Sequence, residues 1–166
     1  MAHASGGYSE KVPQFVRSVL INAPVARVFG FHERADALEL LTPAFPPVKI
    51  ISRTGGIREG ARVVLRVGPF PWTALHTAYE KDRLFVDEQI SGPFAKWIHR
   101  HEFEARGIHT LLTDRLEYEL PGGVAMNAFL AWTLWPGFYQ MFRHRHRVTQ
   151  TSCEAPDHLQ GTPARP

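Results

Sequence analysis

One cysteine, Cys153, stands in the whole chain. A single thiol cannot build an internal disulfide framework and removes any cysteine-based zinc site. Long apolar runs are missing as well: no window approaches the roughly 18 apolar residues needed to span a bilayer. The opening MAHASGGYSEKVP lacks the positive and apolar regions of a secretory signal, so a cytoplasmic location is expected. Charge of one sign is scarce. Lys plus Arg number 19 and Asp plus Glu 16, leaving +3, too small an excess to imply a nucleic-acid partner without a clear basic face. With no nucleophile elbow, Gly-rich phosphate loop or dinucleotide fingerprint, covalent hydrolysis, phosphoryl transfer and hydride transfer have no support.

What is present is an ordinary globular composition. Hydrophobic residues make up 44% and charged residues 21% of 166 positions, enough for one domain around one core. No repeat at periods of 20 to 50 residues and no low-complexity block interrupts it. Residues 1–13 are small and polar, and residues 151–166 carry Pro156, Pro163 and Pro166 with little that is apolar. Neither end offsets its own ordering entropy, so both are expected to be disordered and the folded unit to span residues 14–150.

FVRSVLIN opens that unit as a strand. The period then changes: Val25, Val28, Phe29 and His32 fall at helical spacing behind Pro24, with Asn22 as the expected N-cap. A second short helix is predicted over Arg34–Leu41 and ends before Pro43. Six strands follow, Val48–Arg53, Ala61–Val67, Trp72–Glu80, Leu84–Ser91, Ala95–Glu104 and Thr110–Leu120, separated by turn-forming Gly, Pro and charged residues. From Val124 to Arg147 apolar residues recur near 3.6, predicting a long helix that kinks or splits at Pro136. A curved antiparallel sheet with one apolar face needs covering, and only this helix is long enough. The fold class is thus α+β, seven antiparallel strands around a C-terminal helix, with a cavity between.

Three segments, INAPVARVFGFH, FVDEQISGPFAKWIHRHEF and TLLTDRLEYELP, resemble those of a bacterial branch of the START-like (SRPBCC) superfamily. This is the helix-grip, Bet v 1-like fold of lipid-transfer START domains, the birch-pollen-allergen type and polyketide cyclases. The resemblance spans about residues 14–147. It implies a deep apolar cavity, and in the strand Leu84–Ser91, where alternation leaves the inward face open, it favours Phe85, Asp87 and Gln89 as inward. Asp87 and Gln89 are read as satisfying neighbouring strand or helix groups.

Alternation in AKWIHRHEFE puts Trp97, His99, His101 and Phe103 on one face and Lys96, Arg100, Glu102 and Glu104 on the other. The charged face belongs in water, so the aromatic row and its two imidazoles point inward. In the next strand Thr110, Leu112, Asp114, Leu116 and Tyr118 share the inward face. A buried carboxylate needs a partner, and a hairpin closing at Arg106–Ile108 pairs residues whose numbers sum to about 214 or 215. His101 is the partner expected for Asp114.

Three readings of this polar group compete. It is a structural hydrogen-bonded pair, a set of ligand-orienting groups in an apolar site, or an acid–base pair, His101 moving a proton while Asp114 orients it, in cyclase or dehydratase chemistry. His99 and His101 also form an H-x-H pair that with Asp114 would suit zinc, but no metal and no cofactor is taken as the expectation. Trp132 and Trp135 lie beside Pro136, just ahead of it, and are expected at the cavity entrance. Residues 143–147, RHRHR, read as a solvated helix end, with transient contact to an anionic membrane as a further possibility through WTLWPGFYQMFRHRHR. The partner expected is a small hydrophobic or amphipathic molecule, bound by Trp97, His99, His101, Phe103, Asp114, Tyr118, Trp132 and Trp135. The chain is expected to be a monomer or homodimer.

Overall fold

Gln14–Ile21 forms strand β1, whose Phe15 and Ile21 are buried while Val16, Ser18 and Leu20 stay on the outer face, as alternation requires. This computed structural model describes residues 12–155. After β1 come helices α1 (Val25–Glu33) and α2 (Ala37–Leu41), then β2 (Val48–Thr54), β3 (Arg62–Val67), β4 (Phe70–Glu80), β5 (Leu84–Ser91), β6 (Lys96–Arg106) and β7 (His109–Glu119). Helix α3 (Gly123–Leu130), a 3-10 turn (Ala131–Leu134) and α4 (Trp135–Glu154) follow. The seven strands form one antiparallel sheet in the order β1-β7-β6-β5-β4-β3-β2. The first strand therefore joins the last, and the helices cover one face, the arrangement expected.

The β6–β7 hairpin sets the register on which the site depends. Arg106 pairs with His109 across a two-residue turn, and Gly107 takes φ 65°, a conformation that suits a glycine-first hairpin turn. Every later pair follows, including His101 opposite Asp114.

Three details differ from expectation. The final helix splits, but ahead of Pro136 rather than at it: the 3-10 turn separates α3 from α4, and Pro136 lies in the first turn of α4, where its missing N–H costs nothing. Helix α4 also continues past residue 150, because Cys153, at 1% exposure, is a core residue rather than part of a polar tail. Asn22 does not cap α1 through its side chain; its backbone N–H donates to Glu154 Oε1 at 2.8 Å, and Pro24 occupies the cap position. The predicted disorder of both ends otherwise falls on residues 1–11 and 156–166, outside the described residues.

Two apolar clusters make the core. One gathers Val28, Phe29, Phe31, Phe85, Phe103 and Leu112; the other gathers Phe15, Leu116, Tyr118, Phe138 and Phe142. Helix α4 serves both because Phe138, Phe142, His146, Thr149 and Cys153 follow one another at steps of three or four along one face. Phe142 is fully buried, stacks on Phe15 at 5.4 Å and meets the His99 ring edge-on at 5.1 Å. Replacing Phe142 with Ala is expected to cost about 3–5 kcal/mol, read as a lowered urea midpoint at unchanged slope; a change under about 1 kcal/mol contradicts the placement of α4.

Candidate functional site

Between the two apolar clusters lies a buried polar centre. Asp114 sits on β7 between Leu112 of one cluster and Leu116 of the other, at 2% exposure. Its Oδ1 lies 2.8 Å from His101 Nδ1 and 3.0 Å from His99 Nε2, both on β6. Its Oδ2 lies 2.6 Å from His146 Nε2 on α4. An ionised carboxylate only accepts, so His99 and His146 each present an Nε2–H to it, while His101 Nδ1 lies in close contact and the His101 Nε2–H is aimed at Asp87 Oδ2. The sheet and the closing helix are thus joined through one side chain.

A second carboxylate stands on the far side of the same rings. Asp87 on β5 places Oδ2 3.4 Å from His99 Nδ1 and 3.4 Å from His101 Nε2. Phe85, two residues earlier, stacks on His101 at 4.0 Å between ring centroids and fixes the plane of the imidazole. His76 on β4 pairs in register with Asp87 and is buried, with Nδ1 lacking a hydrogen-bond partner. His32 on α1 is also buried; its Nδ1 is bonded to the Val28 carbonyl at 2.8 Å.

Environment separates these groups electrically. Burial opposes charge on Asp114, but the His101, His146 and His99 imidazoles outweigh it and hold the carboxyl well below the usual range. Burial of Asp87 is likewise overcome by His101 and His99, which hold it low. Burial also opposes charge on His99, yet its hydrogen bonds to Asp114 and Asp87 prevail and raise it above 6.5. His76 is lowered by burial. Burial, helped by the His101 imidazole, pushes His32 down to about 4.

A cavity of about 750 Å³ opens between the sheet and α4. Trp72, Phe94, Trp97, Phe138 and Met141 contribute its apolar walls, while His76, Asp87 and His99 reach it from the sheet and Arg145 from α4. A smaller cavity of about 400 Å³ lies toward α2 and is bordered by His32, His76, Phe85, His101 and Arg145. A histidine held by a buried carboxylate can deliver or take a proton. His99 stands on the wall of the larger space for such a step and His101 on that of the smaller.

The residues singled out in the sequence thus divide. Trp97 and His99 line the larger cavity and His101 the smaller. Phe103, Asp114 and Tyr118 are buried behind the walls; the Tyr118 hydroxyl donates to the Ala131 carbonyl at 3.1 Å. Trp132 and Trp135 line neither space: they are 69% and 52% exposed, whereas Thr133, Leu134 and Gly137 of the same stretch turn in. The 143–147 run is not uniformly solvated either, because His146 is buried against Asp114 and Arg145 is half-buried. Asp114 keeps the partner expected, His101, and gains His99 and His146. Gln89 closes the β5–β6 turn by donating to the Phe94 carbonyl at 2.8 Å. His76 and His146 had signals: His76 shares a strand face with Ala74, and His146 extends the Phe138, Phe142 helical spacing.

A model of the family described as polyketide cyclase / dehydrase and lipid transport matches residues 21–145. The chain belongs to this family. No curated protein matches. Among solved structures, TTHA0849 from Thermus thermophilus is 16% identical with TM-score 0.65, covering 86% of this chain and 97% of its own. The ZhuI aromatase/cyclase from Streptomyces sp. R1128 is 12% identical with TM-score 0.66, covering 86% and 94%. Norcoclaurine synthase from Thalictrum flavum, in complex with dopamine and hydroxybenzaldehyde, is 12% identical with TM-score 0.65, covering 88% and 89%. At such identities the likeness is one of fold, the helix-grip fold, and the polyketide cyclase family name carries no reaction with it.

His32 titrates near 6.5 in an unfolded chain and at about 4 in the fold. Between those values the unfolded state binds the extra proton, so the stability that depends on this neutral imidazole is complete above about pH 6.5 and is lost as pH falls toward 4. The loss amounts to about 3 kcal/mol. An NMR titration should give a His32 midpoint near 4, and His32→Leu should flatten this limb of the stability curve; a midpoint near 6.5 contradicts its burial.

Proposed function

We propose that this member of the polyketide cyclase family binds a small amphipathic molecule, with an apolar or aromatic body and an anionic end, in the cavity between sheet and α4. The observation that carries the reading is the division of the lining. Trp72, Phe94, Trp97, Phe138 and Met141 supply apolar surface, whereas Arg143, His144, Arg145 and Arg147 enter from one helix. Asp87 is the carboxylate among the lining residues, and His99 and His101 already neutralise it. His144 Nε2 and Arg145 Nε are buried without hydrogen-bond partners, and an unpaired buried donor is costly until an acceptor arrives. A volume of about 750 Å³ falls in the range of small-molecule sites. The norcoclaurine synthase complex shows such a fold holding two small aromatic compounds.

A dansyl-labelled undecanoic acid is the probe of choice. Its emission should rise and shift to the blue with the wild-type protein. Ala74→Trp, which fills the cavity from β4, should abolish the signal, and Arg145→Gln should weaken binding about tenfold. Equal binding by the Ala74→Trp variant contradicts the reading.

A second reading, transient docking on an anionic membrane, is supported by a patch on the same closing segment. Phe129 is 74% exposed and Trp132 69%, and Arg143 and Arg147 are exposed on α4 nearby in sequence. Among the described residues no helix is long and apolar enough to cross a membrane, so contact would be at the surface. Vesicles containing phosphatidylserine should carry the protein upward in a density gradient, and Phe129→Ser with Trp132→Ser should leave it behind; flotation unchanged by the two substitutions removes this reading.

A further inference from the structure

Asp87 meets the two histidines only at long reach, the His101 Nε2–H donating to its Oδ2 across 3.4 Å. Asp114 already takes the N–H of His99 Nε2 and lies 2.8 Å from His101 Nδ1. The opposite ring atoms, His99 Nδ1 and His101 Nε2, converge on one oxygen, Asp87 Oδ2, each at 3.4 Å. A charge-assisted N–H···O bond closes to about 2.7–2.9 Å, so both contacts stand off. The separation matches another arrangement: donors held about 2.0–2.1 Å from a tetrahedral zinc ion are about 3.4 Å from one another. The three ligand atoms lie within 4.8 Å of one another, so an ion would draw the two ring nitrogens together around it.

His76 gives an independent pointer. At 7% exposure it is buried, it borders both cavities, and its Nδ1 lacks a partner. It stands opposite Asp87 in the β4–β5 register, beside the point on which the three donors converge. A buried imidazole with a free ring nitrogen next to such a point is what a fourth ligand, or the hydrogen-bond partner of a bound water, requires.

We propose that Asp87, His99 and His101 bind a divalent first-row cation, zinc fitting best, with the fourth position turned toward the cavity beside His76. Asp114 lies behind both imidazoles as the carboxylate that fixes their orientation and raises their basicity, the usual outer partner of a metal-bound histidine. Two imidazoles and one carboxylate with an open position are the donor set of a catalytic zinc site rather than a structural one. The ion would face the wall shared by Asp87 and His99, where a polarisable group of a bound molecule can reach it. This departs from the expectation of no metal, and Asp87 takes the place that the sequence offered to Asp114.

The test uses the full, untagged, metal-stripped chain, titrated with Zn²⁺ against a chromophoric chelator and separately with Co²⁺. One ion per chain and the intense visible bands of four-coordinate cobalt are expected. Asp87→Asn combined with His101→Gln should abolish binding, Asp114→Asn should weaken it about 10–100-fold, and His109→Gln, at the β6–β7 turn, should leave it unchanged. Should the ligand variants fail to fold, X-ray absorption of the cobalt-loaded wild type decides: two imidazoles in the coordination shell uphold the site, and a shell of oxygen donors alone overturns it. No stoichiometric ion, or binding that survives the double substitution in a folded protein, also overturns it. Dansyl-probe binding by a protein that takes up no ion leaves the cavity reading standing and removes this one.

Discussion

A carboxylate inside a protein has to be met by donors or given up to protonation, and at position 114 it is met by three imidazoles from one strand and one helix. His99 and His101 come from β6, and His146 from α4. Because Asp114 lies between Leu112 and Leu116, the apolar clusters on either side cannot form without also placing it. The arrangement of the interior therefore depends on this one acceptor. If its charge were lost, the buried ring nitrogens of His99 and His146 would lose their acceptor together, at a cost that buried polar networks do not spread evenly.

The same constraint shapes the cavity. Imidazoles of β6 tied at one nitrogen to Asp114 offer the other to the interior, so the sheet wall presents polar atoms at fixed points on an otherwise aromatic surface. The helix wall supplies the opposite contribution, cationic side chains from α4 around Arg145. A molecule entering there meets apolar bulk in the middle and charge at defined edges, which favours an amphipathic occupant over a wholly apolar one. Membership of the polyketide cyclase family is consistent with a bound organic molecule.

Much of the frame was legible in the amino-acid order, and the failures have physical causes. Alternation along β6 and β7 located His99, His101 and Asp114 on the inner face because the opposite face carries Lys96, Arg100, Glu102 and Arg115, whose charges belong in water. The turn at Gly107 limited the register to two choices, one of which pairs His101 with Asp114. Asp87 was ambiguous for the opposite reason: Phe85 and Val86 are both buried, so β5 shows no polarity contrast between faces. His146 was hidden by its basic neighbours, whose composition reads as solvated, although its spacing from Phe142 and Phe138 marks the buried stripe. Trp132, in the 3-10 turn, and Trp135, the first residue of α4, were misplaced because an apolar side chain does not by itself tell a cavity wall from an exposed face.

The claim on which the account rests is that ionised Asp114 accepts an imidazole N–H from the sheet and one from the closing helix at once, those of His99 Nε2 and His146 Nε2. Long-range proton–nitrogen correlation spectra of the histidine rings in the metal-free protein test it directly. The account predicts a proton on Nε2 of both His99 and His146, both slow to exchange with solvent and both perturbed by Asp114→Asn. Finding His99 protonated at Nδ1 alone, or His146 exchanging freely with its spectrum untouched by that substitution, would contradict it.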